Sequence, residues 1–105
     1  MTIPRSVLII DDDRDFAQAV GGLLTSSGYA VMTASNGRDG LELAKKALPD
    51  LILLDVMMTE RTEGFFTLQQ IRRVPALQLT PVIVVSSIYT DQSVFRVNPD
   101  AGWLP

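Results

Sequence analysis

Four carboxylates stand directly behind two apolar runs. Asp11, Asp12 and Asp13 follow Val7-Leu8-Ile9-Ile10, and Asp55 follows Leu51-Ile52-Leu53-Leu54. Carboxylates gathered in one place repel one another unless a hard divalent cation neutralises them, and Mg²⁺ takes oxygen ligands with water completing its shell. The spacing therefore predicts an acidic pocket for Mg²⁺. A third apolar run, Val82 to Val85, ends in the hydroxyls of Ser86 and Ser87. The chain contains neither His nor Cys, which removes imidazole bases, phosphohistidine, thiolate nucleophiles, thiolate metal sites and disulfides. Carboxylates, hydroxyls, Lys and Arg are what remains.

The pocket forms only if the two runs are neighbouring strands that end at the same edge. Both runs are short and apolar without alternation, and a helical pattern follows each, as in parallel strands covered on both faces. In open α/β sheets ligands bind outside the carboxyl ends of such strands. After Asp13, well placed as an N-cap, Phe16, Val20, Leu23 and Leu24 follow helical spacing until Gly28. Tyr29 to Ala34 reads as a second strand. Asn36-Gly37 starts a helix with Leu41, Ala44 and Leu48 on one face, closed by Pro49. Asp50 to Val56 is the third strand. A polar loop, Thr59 to Glu63, leads through Gly64 into Phe65, Leu68 and Ile71, again helically spaced up to Pro75. Val82 to Val85 is a buried fourth strand, and Asp91 to Val97 a short helix interrupted by Asn98-Pro99. Strand and helix thus alternate as in a parallel α/β sheet.

At 105 residues with 47% hydrophobic content, the chain predicts one small domain, residues 1–105, with a modest core. The net charge is −3 and no stretch concentrates Lys and Arg, so the footprint of nucleic-acid binding by this chain is missing. The apolar run before the first acids is only four residues long, too short for a signal peptide or a membrane span. A cytoplasmic location is the resulting expectation.

These motifs together resemble the receiver domain of two-component response regulators. Val7 to Asp13 resembles the family's first strand and acidic pair, and Leu53-Leu54-Asp55-Val56-Met57-Met58 its phosphoacceptor motif. Pro81-Val82-Ile83-Val84-Val85-Ser86 resembles its fourth strand, and Asn36-Gly37 and Pro49-Asp50 also match. The resemblance implies a flavodoxin-like parallel sheet with helices on both faces. It further implies that Asp55 accepts a phosphoryl group from a sensor histidine kinase or phosphotransfer protein. Asp12, Asp55 and the backbone carbonyl of Met57 would bind Mg²⁺ directly, and Asp11 through a water. The Ser86 hydroxyl would bind a phosphoryl oxygen and draw in the loop after strand four, biasing a two-state switch.

The chain departs from the family pattern in two places. It stops at Pro105, before a fifth strand with its Lys, so the expectation is a receiver incomplete at the C-terminus, with strand four uncovered and open to homodimerisation. Thr59 stands where receivers usually carry Pro, and Glu60 to Glu63 reads as one residue longer than the family's loop, which predicts an atypical recognition loop. Met57 and Ile88, both apolar, imply slow loss of the phosphoryl group by exclusion of water.

Other readings of the same residues are weaker. Capping alone accounts for Asp13, and a surface position in the first helical turn for Asp15. Asp11, Asp13 and Asp15 imitate a calcium loop, but Phe16 stands where Gly is needed and Gly22 where Glu is needed. No Gly-rich phosphate loop with Lys accompanies Asp55. Two alternatives remain: a receiver-shaped interaction module independent of phosphate, and a haloacid-dehalogenase-like phosphatase with Asp11 as nucleophile, Asp13 as acid or base and Ser86 on the phosphate.

Overall fold

The structure, a computed structural model, describes residues 3–55 and 63–85. It contains β1 (Ser6–Ile10), α1 (Arg14–Ser26), β2 (Ala30–Ala34), α2 (Gly37–Ala47), β3 (Leu51–Asp55), α3 (Glu63–Arg73), a 3₁₀ turn (Pro75–Leu77) and β4 (Val82–Val85). The strands form one sheet in the order β2-β1-β3-β4, every pair parallel. This is the flavodoxin-like arrangement. The short helix expected over Asp91 to Val97 and the expected incompleteness of the C-terminus concern residues outside those described.

Burial of β1 and β3 on both faces explains their unbroken apolar composition. Leu8, Ile10, Ile52 and Leu54 pack under α2 and α3 with Ala44, Ile71 and Leu77. Val7 and Ile9 face the other way, against Ala17 and the half-buried Val20 and Leu24 of α1. A strand whose alternate residues both meet helices has no side left for polar groups.

Each helix buries a narrower stripe than its apolar residues suggest. In α1, Ala17, Val20, Gly21 and Leu24 line the sheet at i, i+3, i+4, i+7 spacing, which turns Leu23 outward, 71% exposed. In α3 the stripe is Gly64, Thr67, Leu68 and Ile71, so Phe65 lies on the solvent side, 55% exposed. Leu48, expected on the core face of α2, is instead its left-handed C-cap at φ 48°, ψ 63°, with its N–H on Ala44 O at 2.9 Å. Pro49 after it disfavours a further helical residue there. The fourth strand, expected to be buried, has Ile83 and Val84 exposed, because among the described elements β4 packs against β3 alone and no helix covers its faces.

Two polar clamps fix the amino ends of strands. Ser6 N–H donates to Asp50 Oδ2 at 2.7 Å and Asp50 N–H to Ser6 Oγ at 3.2 Å, tying the starts of β1 and β3 together. Arg72 Nη1 donates to the carbonyls of Leu77, Gln78 and Thr80 at 3.0, 3.1 and 2.8 Å. That guanidinium gathers the carbonyls of the turn entering β4, where a charged donor is stronger than a neutral one. One glycine sets the distance between α2 and the sheet: a Cβ on Gly40 would lie 2.5 Å from Ile10 Cδ1 and 2.7 Å from its Cγ1, so α2 sits directly on β1.

Candidate functional site

Register brings the acids together. Ile10 pairs with Leu54 across the β1–β3 ladder, so the next residues, Asp11 and Asp55, emerge side by side at the carboxyl edge. Asp12 follows at the turn into α1. One carboxylate oxygen from each of Asp11, Asp12 and Asp55 lies within 4.8 Å of the others. Asp11 is 3% exposed and Asp55 1%, whereas Asp12 is exposed to solvent. The donor set is entirely carboxylate oxygen and one member reaches water, which suits a hard divalent cation that retains part of its hydration.

Asp11 is held from two sides. Its backbone N–H donates to Ala34 O at 3.0 Å, anchoring the turn to the end of β2. Its side-chain Oδ1 accepts the backbone N–H of Asp13 at 2.8 Å. Burial pushes the Asp11 carboxyl up from its ordinary 3.8 to about 6. Repulsion from Asp55 and Asp12 and a hydrogen bond shared with the Asp55 side chain act in the same direction, while the Asp13 amide favours the ionised form and opposes them. The cluster is thus electrostatically loaded, and either a proton or a cation relieves it.

Asp13 caps α1 as its sequence position suggests, accepting the N–H of Phe16 at 3.1 Å. Its amide contact with Asp11 was not legible from residue type, because it depends on the path of the turn. Asn36 caps α2 in the same manner, accepting the Asp39 N–H at 2.8 Å and returning its own amide to Asp39 Oδ2 at 3.1 Å. Between the two helices a cavity of about 590 Å³ opens beside Asp11, lined among others by Arg14, Gln18, Thr33, Asp39 and Lys46. Its charges are mixed in sign, so it is no anion funnel. Met57, Ser86, Ile88 and the loop from Thr59 to Thr62 lie outside the described residues.

Comparison with known proteins points one way. A family model, the response regulator receiver domain, matches residues 7–102. The transcriptional regulatory protein DltR of Streptococcus agalactiae is 37% identical over 92 residues, 88% of this chain and 39% of that protein. AfsQ1 of Streptomyces coelicolor, also a transcriptional regulatory protein, is 39% identical over 89 residues, 85% of this chain and 38% of its own length. The chain therefore spans about two fifths of the regulators it matches. Among solved structures, the chemotaxis response regulator CheY4 of Vibrio cholerae aligns with a TM-score of 0.76 at 33% identity, covering 88% of this chain and 75% of that one.

Proposed function

This chain belongs to the response regulator receiver domain family of two-component systems, and we propose that it signals by accepting a phosphoryl group on Asp55. The observation that carries the proposal is the convergence of Asp11, Asp12 and Asp55 at the carboxyl edge of β1 and β3. The Asp55 carboxylate attacks the phosphorus of a phosphohistidine on a sensor kinase or phosphotransfer protein. The P–N bond breaks, an acyl phosphate forms on Asp55, and the imidazole leaves with a proton.

Asp11, Asp12 and Asp55 would hold Mg²⁺, with Asp12, Asp55 and the Met57 carbonyl as direct ligands and Asp11 acting through a water, as the family resemblance implies. When bound, the ion offsets the negative charge of carboxylate and phosphoryl oxygens as they approach. The protein's own contribution is position. Asp55 is fixed on a buried strand, and the Asp13 amide and Ala34 carbonyl fix the turn that carries Asp11 and Asp12. Val85 pairs with Asp55 across the β3–β4 ladder, and the next residue in the chain is Ser86. That adjacency supports a role for the Ser86 hydroxyl as donor to a phosphoryl oxygen. The apolar Met57 and Ile88 support slow hydrolysis.

Transfer from acetyl phosphate, a small phosphodonor, tests this reading. Label incorporation requires Mg²⁺, stops with EDTA, and is lost at alkaline pH as expected of an acyl phosphate. Label that ignores EDTA, or that resists hydroxylamine as a serine phosphate ester does, contradicts it. Steady hydrolysis of a chromogenic phosphate ester would point to a phosphatase instead.

A further inference from the structure

Asp13 stands between the helix it begins and the carboxylate cluster behind it, and it is bonded to both. Its side-chain Oδ1 accepts the Phe16 N–H at 3.1 Å, and its carbonyl accepts the Ala17 N–H at 3.0 Å. Its own backbone N–H donates to Asp11 Oδ1 at 2.8 Å. The cap holds Asp13 at φ −86°, ψ 101°. Because φ is rotation about the N–Cα bond, fixing it relative to the helix fixes where the Asp13 N–H points.

Asp11 is buried and its Oδ1 accepts this amide, so the amide restrains the orientation of the carboxylate. Asp13 itself is exposed, and the side chains whose oxygens converge are those of Asp11, Asp12 and Asp55. Its link to the centre is therefore its backbone, and its side chain acts on that backbone by capping.

We propose that Asp13 is a positioning residue for the metal centre: by capping α1 it aims its backbone N–H at Asp11, and it does so through its acceptor oxygen and not through its charge. This rests on the metal reading given above. An uncapped first turn frays, the amide swings away, and Asp11 loses the restraint on its Oδ1, keeping only its contact with Asp55. Groups that orient the ligands of a metal typically control affinity by a factor of ten or more. Asn replaces the acceptor without the charge and caps as well as Asp does, whereas Ala removes both.

The test is Mn²⁺ binding, followed by electron paramagnetic resonance and by competition with Mg²⁺, on the 105-residue chain. Wild type is compared with Asp13→Ala, Asp13→Asn and Asp55→Ala. The expected result is affinity about tenfold weaker in Asp13→Ala, with Asp13→Asn within about twofold of wild type. Equal affinity in Asp13→Ala and wild type overturns the proposal, and so does an Asp13→Asn chain as weak as Asp13→Ala, which would make charge the cause. If circular dichroism shows Asp13→Ala unfolded, Asp13→Gly takes its place: it keeps the helix but lacks the acceptor that fixes the amide, so the same roughly tenfold loss is expected and wild-type affinity overturns the proposal. Absence of Mn²⁺ binding in wild type overturns the metal reading and this inference with it. Weakened binding in Asp55→Ala upholds the metal reading whichever way the Asp13 variants fall, which keeps the two failures apart.

Discussion

Asp11 is the residue at which burial, repulsion and hydrogen bonding meet most sharply. Its carboxyl keeps a proton to about pH 6 in the folded chain and loses it near 3.8 when unfolded. Between those values the native state binds more protons, so the slope of stability with pH is negative there. The contribution is fully present below about pH 4 and is lost as pH rises through about 6. Its size is of order 1–3 kcal/mol. Metal-free protein is therefore expected to lose stability from this group between pH 4 and pH 7, as read by denaturant midpoints. Added Mg²⁺ restores it at pH 7.5 far more than at pH 5, where the proton already occupies the cluster. A Mg²⁺ effect of equal size at both values would contradict this account. The acids themselves were legible in the sequence, because two carboxylate-terminated apolar runs constrain each other. The Asp13 amide on Asp11 was not, since no residue type announces a backbone donor.

At the scale of elements, one substitution is expected to act with opposite sign on two glycines. Gly22 lies in α1 with nothing within 4 Å of the Cβ it lacks. Gly22→Ala is therefore expected to stabilise the chain by about 0.5–1 kcal/mol through helix propensity alone. Gly40→Ala forces a methyl group onto the fully buried Ile10 and is expected to cost about 1–3 kcal/mol. Ile10 immediately precedes Asp11, so the second variant should also bind divalent metal more weakly, while the first should not. Thermal denaturation and metal titration of both variants check this, and a stabilising Gly40→Ala would refute the close packing of α2 on β1. The same scale shows where sequence reading stops. Leu23, Leu48 and Phe65 were apolar at near-helical spacing, yet each is exposed. The buried stripe is set by small residues such as Ala17, Gly21, Gly40 and Thr67, which carry little hydropathy signal of their own. Capping signals did better: Asp13 and Asn36 mark the starts of α1 and α2.

Across the whole molecule, the sheet order places β1 and β3 at the centre and their acids at one edge. Alternation of strands and helices in the sequence predicts a parallel sheet, but it does not say that β1 lies between β2 and β3. That order followed from family resemblance, because strand pairing depends on packing between segments far apart in sequence. Ile83 and Val84 of β4 are exposed, and among the described residues β4 has a partner strand on one side only. The 105-residue chain is expected to self-associate along the other side, giving a sedimentation coefficient that rises with concentration and ceases to do so in Ile83→Lys. A concentration-independent monomer would contradict this.

The central claim, phosphoryl transfer to Asp55, is tested most directly by intact mass after incubation with acetyl phosphate and Mg²⁺, with Asp55→Ala alongside. The account predicts a single phosphoryl adduct on the wild-type chain and none on the variant. A folded, Mg²⁺-binding wild-type chain without adduct, or an adduct that persists in Asp55→Ala, would contradict it.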